Sequence, residues 1–297
     1  MEIHRHAFRA MGTRVEVLTD ASEDPRSFAD AVVRVRDTFE RFERRCSRFR
    51  PDSELSRINR RAGRPTRLSP ELAELVSQAL AAARRTSGRF DPTVLDAVVA
   101  AGYERGFDEL LAGARAALRP PRACGRWREV RLEGPTLHLP EGVGLDLGGI
   151  AKGWTVDLAV AAALEAGLRW VLVNAGGDLR VAGDPPSEGI PVGVEDPEDP
   201  SAELLRLHLL GGALATSSTT RRAWGPGLHH LIDPATALPA ATGVLQATAW
   251  APTCAEAEVA AKDALLRGPG SLQDVPGVLV LADGRVLTNL EPGTVAA

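Results

Sequence analysis

The chain has 297 residues, 44% apolar and 25% charged, and its 35 basic residues against 39 acidic ones leave a formal net charge of −4. No global field therefore favours a nucleic acid or an anionic membrane surface as partner. Cys46, Cys124 and Cys254 are odd in number and widely spaced, which disfavours a disulfide framework or a thiolate zinc site and predicts reduced thiols.

Residues 1–20 hold Glu2, His4, Arg5, His6, Arg9 and Arg14 with no apolar core, which argues against a signal peptide. No later stretch approaches the roughly 18 apolar residues of a membrane span. A soluble, cytoplasmic protein is expected. Thr13–Leu18 alternates like a strand, and a helix follows from about Pro25 with Val32, Val35, Phe39 and Phe42 on one face and Arg34, Arg36, Arg41 and Arg45 toward water. Ser69-Pro70-Glu71 combines an N-cap, a first-turn proline and a first-turn acid, so a helix should run to about Ser87. Residues 113–127 read as a loop and as the candidate seam between subdomains. Val130–Leu132 and Leu137–Leu139 read as a hairpin.

Val143–Leu147, then Gly148-Gly149, an amphipathic run from Ile150 to about Ala166 and the apolar Trp170–Asn174 suggest strand, glycine turn, helix and strand. Short strands are expected near Pro191–Val194, Leu204–Leu209, Ala213–Thr216 and Leu228–Ile232. A helix from Cys254 to about Arg267 and the strands Val278–Leu281 and Arg285–Thr288 close the chain. The class is mixed α and β (α+β), with strands too irregularly ordered for a simple doubly wound sheet.

Among the 35 basic residues only Lys152 and Lys262 are lysine. A chain that uses arginine wherever a generic positive charge suffices keeps lysine where a compact point charge is needed. Lys152 follows Gly148-Gly149 in the first turn of its helix, where backbone N–H groups, the helix dipole and an ammonium can meet a phosphate. A tight turn beside a solvated lysine explains the same residues, and the spacing matches neither the Rossmann nor the Walker loop. Asn174-Ala-Gly176-Gly177-Asp178 offers a close approach to a ligand or, equally, a bulge or a hairpin turn capped by Asp178. His229 and His230 open an apolar strand and point to opposite faces, so they do not chelate one ion together; one of them is a candidate base. Glu258 and Lys262 share a helix face, as a surface ion pair or as a charge cluster aimed at a phosphate.

Taken in order with Met11-Gly12-Thr13, Ser47-Arg48-Phe49-Arg50-Pro51-Asp52-Ser53-Glu54-Leu55-Ser56-Arg57-Ile58-Asn59 and Phe90-Asp91-Pro92-Thr93-Val94, these motifs make the sequence resemble the FAD:protein FMN transferase family from about Phe8 to Gly268. The resemblance implies one flavin-transferase-like domain over residues 1–297, built as two interlocked α/β subdomains with the nucleotide site between them. It implies binding of FAD and transfer of its FMN half to a threonine or serine hydroxyl of a client protein, cytosolic here, with release of AMP. Met11, Phe49, Arg89, Phe90, Asp91, Asp146, Lys152, Leu231 and Lys262 would contact the flavin nucleotide, and His230 would be the general base. Asp233 is expected to shape its turn rather than orient His230.

The family's last helix carries an Asp and a Thr as magnesium ligands, joined by a backbone carbonyl at the position of Gly149; here the side chains are Glu258 and Lys262. Two arrangements are open. Either Mg²⁺ binds through Glu258, the Gly149 carbonyl and the pyrophosphate, or the Lys262 ammonium takes the metal's place, which the scarcity of lysine favours. The family's usual Gly after Asp-Pro is Ala237, its Arg is Ala235, and Ser217-Ser218 replaces a Ser-Gly. FAD hydrolysis to FMN and AMP, FAD binding without chemistry, and a structural protein without ligand are the competing readings.

Overall fold

The computed structural model describes residues 2–111, 118–121, 124–290 and 294–295. Seven α-helices among the described residues accompany a large antiparallel sheet, the mixed class expected. The chain divides into two compact units: Met1–Phe42 with Lys152–Ser217 and Gly243–Ala297, and Glu43–Ala151 with Ser218–Thr242. Of the expected seam, residues 113–117 and 122–123 lie outside the described residues. Among the described residues no helix is long and apolar enough to cross a membrane.

The first unit is built on an eight-stranded sheet. In spatial order its strands are Ile3–Ala10, Thr13–Asp20, Trp170–Ala175, Asp178–Gly183, Gly212–Ser218, Val244–Ala251, Gly277–Leu281 and Val286–Thr288. Successive side chains leave a strand on opposite faces, and both faces of this sheet are covered. Val171, Val173 and Ala175 pack with Val15, Val17, Val35, Phe39, Val156 and Val160. Trp170 and Leu172 pack on the other side with Ile190, Val194, Leu207 and Leu209, from the antiparallel pair Ile190–Glu195 and Glu203–Leu209. Two buried faces are why Trp170–Val173 is an unbroken apolar run. The helix Pro25–Cys46 buries Val32, Val35, Phe39 and Phe42 and exposes Arg34, Arg36 and Arg41, as its periodicity predicts, whereas Arg45, also expected toward water, is half-buried because it donates to Ser69 Oγ at 3.0 Å and pairs with Glu71. The helix Cys254–Arg267 begins and ends where the sequence places it.

The second unit gathers the helices Glu54–Arg60, Pro70–Arg85, Leu95–Ala100 and Phe107–Leu111 and a small sheet of Thr66–Arg67, Thr136–His138 and Arg131–Glu133. Ser69 does start its helix, but its hydroxyl does not cap it. The Ser69 N–H and Oγ–H instead donate to the two carboxylate oxygens of Glu54, each at 2.7 Å, tying two helices together.

Two expected strands differ. Val143–Leu147 is not in a sheet. Val143, Leu145 and Leu147 are buried, which produces the strand-like alternation. The Asn59 side-chain amide takes the place of a neighbouring strand, its Nδ2 donating to the Leu145 carbonyl and its Oδ1 accepting the Leu145 N–H, both at 2.8 Å. The apolar run Leu228–Ile232 is also broken, because Leu228–His229 pairs with Ala223–Gly225 whereas Ile232–Asp233 pairs with Leu238–Pro239. The strands Ile3–Ala10 and Val244–Ala251 carry too many polar or small residues to be read from pattern alone.

Candidate functional site

Both lysines belong to one buried charge cluster in the first unit. The sheet brings Asp178 there through a hairpin: Ala175 faces Asp178 across the two-residue turn Gly176–Gly177, whose φ values of 64° and 92° are those a type I′ turn requires at both positions. The hairpin reading of Asn174–Asp178 therefore holds, with Asn174 Oδ1 accepting the Gly177 N–H at 2.9 Å. The buried Asp178 carboxylate forms an ion pair with Lys152 and accepts the Thr216 N–H at 3.3 Å. Lys152 Nζ also donates to the Ala175 carbonyl at 3.3 Å.

Glu258 is 2% exposed. Its Oε1 pairs with Lys262 Nζ at 3.2 Å, and its Oε2 accepts the Gly153 N–H at 2.8 Å. Burial holds this carboxyl above its ordinary range; Asp178 adds to that shift, while Lys262, Lys152 and the Gly153 N–H oppose it. Gly153 is required by packing. A Cβ there would lie 2.4 Å from the Cys254 carbonyl oxygen, so the helices Ala151–Glu165 and Cys254–Arg267 meet backbone to backbone. Asp157 locks the same junction, accepting the Cys254 and Ala255 N–H groups at 2.8 and 3.0 Å and an Arg180 N–H at 2.9 Å.

Met11 occupies the left-handed region, at φ 50°, in the turn that joins the first two strands, and its side chain packs on the core formed by Val15, Val35 and Phe39. The next residue but one, Thr13, lies against Gly176, so the two hairpin turns are neighbours. Among the described residues no three His, Cys, Asp or Glu side chains converge as a metal-binding group.

In the second unit Arg48 organises the site. Its guanidinium lies over the Phe49 and Tyr103 rings, 4.2 and 4.5 Å from their centroids, pairs with Asp146 at 3.1 Å and donates to the Tyr103 carbonyl at 2.6 Å. Tyr103 in turn packs on Trp224, ring centroids 5.1 Å apart, and Trp224 Nε1 donates to the Ala101 carbonyl at 3.0 Å. Phe49 and Asp146 are thus brought together, while Phe49 keeps 40% of its surface exposed. Arg48 and the sole tyrosine drew no role from the sequence, because their importance lies in contacts between distant segments.

The Gly148–Gly149 turn closes on itself. The Gly148 N–H goes to Asp146 Oδ1 at 2.7 Å, and the Ile150 and Ala151 N–H groups go to the Leu147 carbonyl at 3.1 and 2.8 Å. Asp91 is buried and spends both oxygens locally, on the Thr93 N–H and hydroxyl and on the Gly125 N–H. Phe90 is buried and Arg89 half-buried beside it.

The two histidines have separate environments. His229 is buried; its Nε2 lies 3.0 Å from the Ala240 carbonyl and its Nδ1 accepts the Leu231 N–H at 3.3 Å. That pattern fixes a neutral ring with the proton on Nε2, and burial pushes its pKa below the usual 6.5. His230 is half-buried, Leu231 is buried, and Ile232 packs with Tyr103 and Val98. Asp233 shapes its turn, accepting the Ala235 N–H at 2.9 Å and, through its carbonyl, the Ala237 N–H at 2.8 Å. The cysteines are free, and burial pushes the Cys46 thiol up to about 12.

A relative from Rhodobacter capsulatus named FAD:protein FMN transferase is 31% identical over 239 residues, which is 78% of this chain and 45% of that protein; the chain therefore spans less than half of that relative. A protein of the same name from Treponema pallidum is 30% identical over 80% of this chain and 73% of its own length. The crystal structure of the ApbE protein from Thermotoga maritima superimposes with a TM-score of 0.84 at 26% identity, covering 97% of each chain. The flavin transferase ApbE from Vibrio cholerae shares the fold, with a TM-score of 0.77 at 23% identity over 97% of each chain. The model of the ApbE family matches residues 11–275, and the chain belongs to that family.

Proposed function

We propose that the protein transfers the FMN half of FAD to a threonine or serine hydroxyl of a client protein and releases AMP. The observation that carries this reading is the placement of the only two lysines. In a chain that otherwise uses arginine, both ammonium groups stand in one buried cluster, Lys152 paired with Asp178 and Lys262 with Glu258 at 3.2 Å, where each can turn a remaining donor to a pyrophosphate oxygen. The names of the relatives point to the same chemistry.

In the proposed step the hydroxyl oxygen of the acceptor bonds to the FMN phosphorus, and the bond from that phosphorus to the bridging oxygen breaks. The bridging oxygen leaves with AMP. His230 takes the hydroxyl proton on an imidazole nitrogen, the side-chain group that most often serves as a general base. Lys152 offsets the pyrophosphate charge. Phe49, over which Arg48 is stacked, offers an exposed aromatic surface to the flavin nucleotide. Asp146, held by Arg48 and by its own turn, supplies a fixed acceptor, and Met11, Leu231, Arg89, Phe90 and Asp91 complete the proposed nucleotide contacts.

The magnesium of the family does not fit the residues present. Both oxygens of Glu258 are engaged, by Lys262 and by Gly153, and an ammonium offers no lone pair to a cation. No step is assigned to a metal.

Chromatographic assay of AMP from FAD, with a threonine-bearing acceptor protein, tests the reading. We expect AMP formation that depends on the acceptor. AMP without an acceptor supports hydrolysis instead, and tight FAD binding with no AMP under either condition supports a binding protein.

A further inference from the structure

We propose that Lys262 is a built-in replacement for the divalent cation of this site, so that the protein binds FAD without magnesium. The inference deepens the proposed function and rests on it.

The argument starts with Glu258, a carboxylate in the protein interior that must be neutralised. The structure neutralises it within the chain: Lys262, one helical turn on, places Nζ 3.2 Å from Oε1 and 3.5 Å from the Glu258 backbone carbonyl, and the Gly153 N–H occupies Oε2 at 2.8 Å. Lys262 is itself mostly buried, its side chain 16% exposed. A hard divalent cation demands several oxygen ligands, and here each oxygen of the side chain that would supply one already accepts a donor, one of them from an ammonium group. A cation added beside Glu258 would also face the Lys262 ammonium, 3.2 Å from the same carboxylate, and like charges repel at such range.

The second acid of the cluster is closed in the same way, since Asp178 is held by Lys152. The cluster thus contains two carboxylates and two ammonium groups, a balanced set that needs no external charge to be stable. Lysine rather than arginine is the residue for this role, because an ammonium is compact enough to stand where a metal ion would and presents three donors in a tetrahedral fan. A phosphate oxygen can accept the one donor that Glu258 leaves over.

The test is FAD binding followed by flavin fluorescence on the intact chain, in excess EDTA and in excess Mg²⁺, together with Mn²⁺ titration of the protein–FAD complex read by the free-ion paramagnetic signal. The inference predicts equal FAD affinity in both buffers, within about twofold, and no Mn²⁺ uptake beyond that of FAD alone. In Lys262→Thr it predicts weaker FAD binding in EDTA, restored at least about tenfold by Mg²⁺, and Mn²⁺ uptake. Wild-type binding that disappears in EDTA, or wild-type Mn²⁺ uptake, overturns the inference and leaves the function standing. No FAD binding in either buffer overturns both. The wild-type comparison decides the matter even where Lys262→Thr fails to fold.

Discussion

Ala237 sits at φ 59°, a conformation that an L-residue adopts at a cost of roughly 1–2 kcal/mol. It is held there by its N–H bond to the Asp233 carbonyl and by burial beside Ile232 and Tyr103. Ala237→Gly should therefore raise stability by about 0.5–1 kcal/mol, the relief of strain being partly offset by the entropy of glycine in the unfolded chain; a lower denaturation midpoint would contradict this. His229 makes a separate case. Its folded pKa lies below its unfolded value of 6.5, so the unfolded state binds the proton first and stability is lost as pH falls from about 6.5. The slope of melting temperature against pH below 6.5 should be shallower in His229→Asn than in the wild type, and identical slopes would remove His229 as a contributor. His230→Ala is predicted to keep FAD affinity and to lower turnover by about 10²–10⁴-fold, the usual worth of a general base; an unchanged rate of AMP release rejects the assignment.

Two elements owe their form to contacts that one-dimensional pattern does not contain. The junction of Ala151–Glu165 with Cys254–Arg267 depends on Gly153, where alanine sets two effects against each other. Helix propensity favours alanine by about 1 kcal/mol, whereas a Cβ 2.4 Å from the Cys254 carbonyl oxygen forces the helices apart at a cost of about 1–3 kcal/mol. We expect the second to win, lowering the melting temperature of Gly153→Ala and weakening FAD binding with it, since Glu258 loses the Gly153 N–H. A stabilised variant would refute the close approach. The sequence placed both of these helices, although Ala151–Glu165 has no marked apolar face where an amphipathic run was expected, and it offered the hairpin at Gly176–Gly177 as one of several open readings. It misread Val143–Leu147, because alternating burial looks like a strand whether the backbone is satisfied by a neighbouring strand or by the side chain of Asn59. Arg48, Asp157 and Tyr103 were invisible for a related reason: each acts by joining segments far apart in the chain, and a single sequence carries no record of which segments meet.

For the molecule as a whole, residue usage carried more information than net charge. The overall charge of −4 excludes partners but selects none, whereas the scarcity of lysine marked the two positions that the first unit assembles around Glu258. The second unit, taken by itself, holds an aromatic and guanidinium surface built on Arg48, Phe49 and Tyr103. The central claim is that the lysine cluster receives the phosphates of FAD. The most direct measurement is titration of FAD into the wild type and into Lys152→Met, both verified as folded by thermal unfolding. Loss of a desolvated charge partner costs about 2 kcal/mol or more, which is upward of about thirtyfold in Kd. We predict tight binding by the wild type and at least that loss in the variant. Equal affinity in the two proteins, or no FAD binding by the wild type, would contradict the account.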